Sequence, residues 1–84
     1  MDQKASEYAE EAIRALGRLD VASARMSIGQ AFVADPKLGA LTDSVYLACA
    51  EIEEEGGVST ATWNTLADSV DSAELFAVIE ASRS

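Results

Sequence analysis

Apolar residues recur at three- and four-residue spacing along most of the chain, and that period predicts helices throughout. Ala5, Tyr8, Ala9, Ala12, Ile13 and Leu16 form one stripe over residues 3–16. Residues 20–35 follow, with Arg25 as the only charge between Asp20 and Asp35. There Val21, Ala24, Ile28, Ala31 and Phe32 make one row, and Met26, Gly29 and Val33 make a second on another side. A helix apolar on more than one side belongs inside a packed structure. The pattern therefore predicts that the other helices wrap this one. Leu38, Leu41, Val45, Ala48 and Ile52 carry a third helix, and Leu66, Ala67 and Val70 a fourth. Leu75, Val78 and Ile79 carry a fifth, with Phe76 on its flank.

The residues between these stripes fit helix ends. Gly17 stands where a left-handed stop is wanted after the first helix. Asp20 is the expected cap of the second, because its carboxylate can accept from backbone N–H groups with no helical partner. Leu19 is placed to staple onto Ala24. Asp35-Pro36 ends that helix, since a residue before proline is pushed out of the α region. The third helix begins either at Pro36 or near Thr42, and Gly56-Gly57 stops it. Ser59 is the expected cap of the fourth, with Val58 and Trp63 as its staple. Asp71 and Glu74 have capping-box spacing for the fifth, with Val70 and Leu75 around them. An echo appears at an offset of 39 positions: Ala9 maps to Ala48, Ile13 to Ile52, Gly17 to Gly56 and Asp20 to Ser59. The expected fold is all-α: one domain over residues 1–84, a small bundle of about five helices, two helical hairpins and a closing C-terminal helix.

Charge narrows the partners. Fifteen acidic and six basic residues give a net charge of −9. Residues 37–84 hold most of it, with nine carboxylates against Lys37 and Arg83. Phosphate backbones and anionic lipid surfaces repel such a chain, so neither nucleic acid nor membrane is expected as a partner, while a basic protein is permitted. The single cysteine, Cys49, allows no intramolecular disulfide. No apolar signal-peptide core opens the chain and no run is long enough to span a bilayer, so a reducing cytosol is the expected compartment. In a chain of 84 residues self-association is also expected to matter, and a homodimer is one form of it.

Reactive chemistry is sparse. The absence of histidine removes the usual general base near neutral pH and the commonest transition-metal ligand. Zinc spacings, a phosphate-cradling glycine loop and a calcium loop are all missing. No catalytic residue, metal or cofactor is expected. Cys49 reads as a packed thiol and Trp63 as a core staple. Glu51, Glu53, Glu54 and Glu55 crowd the end of the third helix, where the dipole disfavours negative charge. That conflict makes them the candidate interaction surface.

Two stretches resemble known families. Residues 9–36 resemble a single tetratricopeptide repeat: Gly17-x-x-Asp20-x-Ala22 looks like its turn, and Ala24, Ala31 and Asp35-Pro36 look like its later positions. The resemblance implies a helical-hairpin scaffold that binds peptides or proteins and does no chemistry. Residues 31–55 resemble the core of acyl carrier proteins, with Asp43-Ser44-Val45 in place of that family's Asp-Ser-Leu. That resemblance implies a phosphopantetheine arm on Ser44. The leading expectation is a non-catalytic protein-protein interaction module. The alternatives are an acidic antitoxin-like or nucleic-acid-mimic protein that neutralises a basic partner, and a carrier modified at Ser44.

Overall fold

The computed structural model describes residues 2–83. It contains α1 (Gln3–Gly17), α2 (Val21–Ala34), a 3-10 turn (Pro36–Leu38), α3 (Gly39–Glu55), α4 (Thr60–Asp68) and α5 (Ala73–Arg83). No strand occurs among the described residues. α1 and α2 form one hairpin, α3 and α4 form a second, and α5 closes the bundle against α1 and α4. The expected all-α bundle of two hairpins and a closing helix is what the chain adopts. No helix among the described residues is long and apolar enough to cross a membrane.

Local chemistry sets the helix ends. Asp2 caps α1 by accepting from the Lys4 amide at 2.7 Å. The Asp20 carboxylate accepts from the Ser23 amide at 3.1 Å, which starts α2. Asp35 is extended, with φ −147° and ψ 95°, and its carboxylate accepts from the Lys37 amide. The third helix follows the Pro36 alternative rather than a start near Thr42: a 3-10 turn over Pro36–Leu38 runs directly into α3 at Gly39. Gly56 ends α3 in the left-handed region at φ 84°, and Ser59 caps α4 through the Thr62 amide. The fifth cap falls one residue later than the spacing predicts. Ser72, not Asp71, accepts from the Leu75 amide, at 3.3 Å.

Two expectations are corrected by the packing. The first concerns the turn after α1. The left-handed residue is Leu19, at φ 62°, and not Gly17. Gly17 serves a close approach instead: a Cβ there would lie 3.0 Å from the carbonyl oxygen of Ser82 on α5. The second concerns the centre of the bundle. α1 buries Ala5, Ala9, Ala12, Ile13, Ala15 and Leu16, and it touches α2, α3 and α5. Alanine on so many positions lets those neighbours come near. α2 buries only the row Ala24, Ser27, Ile28 and Ala31. Its other apolar row faces out, with Met26 68% and Val33 82% exposed. The wrapped helix is α1, and α2 is an outer one.

Candidate interaction surface

The four glutamates at the end of α3 separate into two groups. Glu51 is engaged inside the second hairpin. Its carboxylate accepts from the Ser59 amide at 2.9 Å and from the Thr62 hydroxyl at 2.6 Å, and the Ser59 hydroxyl lies 3.2 Å away. In a capping box the third helical residue would reach back to the cap's amide; here that residue is Thr62, and Glu51 does the work from the preceding helix. The carboxylate is thereby placed at the N-terminus of α4, where the dipole favours it. The bond from Thr62, then that from the Ser59 amide, hold Glu51 below the ordinary carboxylate range. Glu53 crosses from α3 to α2 and binds Arg25, with Nη2 to Oε1 at 2.8 Å. That hydrogen bond lowers the Glu53 pKa in turn. Glu54 and Glu55 are exposed.

The remaining sequence candidates lie inward. Ser44 is only 6% exposed, and its hydroxyl donates to the Ala40 carbonyl at 3.0 Å. Cys49 is fully buried, and burial pushes its thiol pKa up, against the smaller opposing effect of Arg25. Thiolate reactivity is suppressed in such a setting. Trp63 is buried in the core, and Val58 is partly buried against that core. No group of three or more potential ligand side chains among the described residues is placed to hold a metal ion.

The surface that stands out is the outer face of α2. Met26, Gly29, Gln30 and Val33 follow helical spacing along it. With Lys4 and Tyr8 of α1 they line an open depression of about 620 Å³, which Arg25 and Ala34 complete. Tyr46 of α3 borders the same face, its hydroxyl 4.0 Å from the position of a Cβ on Gly29. Phe32 and Tyr46 are themselves 41% and 43% exposed. Met26 and Val33, on the outer face of α2, are thus large apolar side chains left in water. The row Met26, Gly29 and Val33 is visible in the sequence, but periodicity alone does not tell a buried second face from a bare one.

The chain matches no protein-family model, no curated protein and no solved structure.

Proposed function

We propose that this chain is a small, non-catalytic protein-protein interaction module that docks a partner on the outer face of α2. The observation that carries the reading is the exposure of Met26 and Val33, 68% and 82%, on the face that Tyr46, 43% exposed, borders. Leaving such side chains in water forgoes burial energy that a partner would recover. The resemblance of residues 9–36 to a tetratricopeptide repeat points the same way, since that family binds peptides and proteins. A buried free thiol at Cys49 suits a reducing compartment such as the cytosol. A second reading, neutralisation of a basic partner, is supported by the net charge of −9 and by the exposed Glu54 and Glu55. Glu51 and Glu53, however, are spent on contacts within the fold.

Paired capture from a lysate of the source organism separates the readings. The wild-type chain is compared with Val33→Asp and with the double variant Glu54→Lys, Glu55→Lys. All three positions are exposed, so each variant should fold. The module reading expects Val33→Asp to lose the captured protein and the glutamate variant to keep it, with little effect of salt. Capture that depends on the glutamates and disappears at high salt would replace it with the neutraliser reading.

A further inference from the structure

Gly29 stands mid-way along α2, one turn from Met26 and one from Val33. Glycine is the poorest helix former after proline. Nothing within the protein requires it here, because an added Cβ would meet one atom, the Tyr46 hydroxyl oxygen, at an ordinary 4.0 Å. The missing side chain instead opens the outer face to close approach by another backbone. From Met26 to Val33 the groove runs about two helical turns, roughly 10 Å, which suits the side chains of one crossing helix.

Charge selects the kind of helix. The groove is lined by Lys4 and Arg25 and by no carboxylate, in a chain of net charge −9. The other depressions described on this surface all include acidic residues. Arg25 shares its charge with Glu53, whereas Lys4 has no ion pair among the described residues, so the Lys4 end attracts an anion more strongly. The same layout disfavours a second copy. Two α2 helices packed antiparallel about Gly29 would bring Arg25 of one protomer toward Lys4 of its partner, at both ends of the contact.

We propose that the groove centred on Gly29 takes one amphipathic α-helix of a partner protein, whose apolar face covers Met26, Gly29 and Val33 and whose carboxylates meet Lys4 and Arg25. This rests on the interaction-module reading above and adds the partner's chemistry to it. The test is selection of displayed helices, each about 14 residues long, against the immobilised full chain. Leucine is fixed along one face, and Asp, Glu, Lys, Arg and Ser are allowed at the edges. Enriched helices should carry Asp or Glu at the edges. They should bind at least about tenfold more weakly to Val33→Asp, and about threefold more weakly to Lys4→Glu. Gly29→Ala should raise the melting temperature by about 4–8 °C while weakening those helices about tenfold.

The outcomes that overturn the proposal differ from those that remove the reading beneath it. Enriched Lys or Arg edges, with binding still lost in Val33→Asp, would reject the acidic helix and keep the docking face. Full binding to Gly29→Ala would reject close approach at that residue. A dimer in analytical ultracentrifugation that Val33→Asp abolishes would put a second copy in the groove. No enrichment at all, or binders indifferent to both Met26→Asp and Val33→Asp, would remove the docking face itself.

Discussion

Leu19 turns the chain from α1 into α2 with φ at 62°, a conformation that crowds any side chain bearing a Cβ. It is also 52% exposed, so little packing holds it there. The backbone is fixed from both sides: the Leu19 amide donates to the Leu16 carbonyl at 3.1 Å, and the Asp20 amide donates to that of Ala15 at 2.9 Å. Two substitutions separate strain from lost packing. Leu19→Ala removes the side chain and keeps the left-handed penalty, whereas Leu19→Gly removes both. Leu19→Gly should therefore be the more stable of the two by about 1 kcal/mol, the reverse of their order within a helix. Thermal unfolding of the pair checks this, and a more stable Leu19→Ala would show that the turn stores no such strain.

Between elements, the α3–α4 hairpin depends on a polar pin. Thr62 is 4% exposed, and its hydroxyl donates to Glu51 while lying 3.0 Å from the Ser59 hydroxyl. Thr62→Val keeps the shape and deletes the donor, and it should cost about 1 kcal/mol, a fall of about 4–8 °C in melting temperature. In the Glu51→Gln background the same change should cost less, because the charged acceptor is already gone; equal costs would mean that the two side chains are not coupled. This pin also marks where the sequence stops being legible. Caps and stops could be read because their partners lie two to four residues away: Asp20 with Ser23, Ser59 with Thr62, Gly56 with Ile52. The bond from Thr62 to Glu51 spans eleven residues and a hairpin, so the glutamates appeared to violate the α3 dipole when one of them serves α4. Gly17 was misplaced for the same reason. Its neighbour is Ser82, and no local rule anticipates a contact between the first helix and the last. The two apolar rows of α2 are legible, but which row the bundle covers is decided by how α1, α3 and the 3-10 turn pack on it.

For the molecule as a whole, acid sets two effects against each other. Asp20, Glu51 and Glu53 are each held below the ordinary carboxylate range. The causes are hydrogen bonds from Ser23 to Asp20, from Thr62 and Ser59 to Glu51, and from Arg25 to Glu53. Each ties two elements or starts a helix, so together they span α2, α3 and α4. Their folded pKa values lie below the unfolded ones, so in the interval between the unfolded chain binds more protons and stability rises with pH. The contribution is whole above the unfolded values, near pH 4, and is lost as pH falls through the folded ones. Against this, a net charge of −9 repels itself, and protonation relieves that repulsion. The repulsion is spread over an exposed surface and screened beyond about 8 Å at physiological salt, whereas the three bonded carboxylates act at contact distance. The bonded groups should prevail. The melting temperature should stay level from pH 7 to about 5 and fall below about 4, and Glu51→Gln should start lower and fall less steeply. A melting temperature that climbs on acidification at low salt, and climbs equally on adding salt at pH 7, would mean that self-repulsion governs this fold.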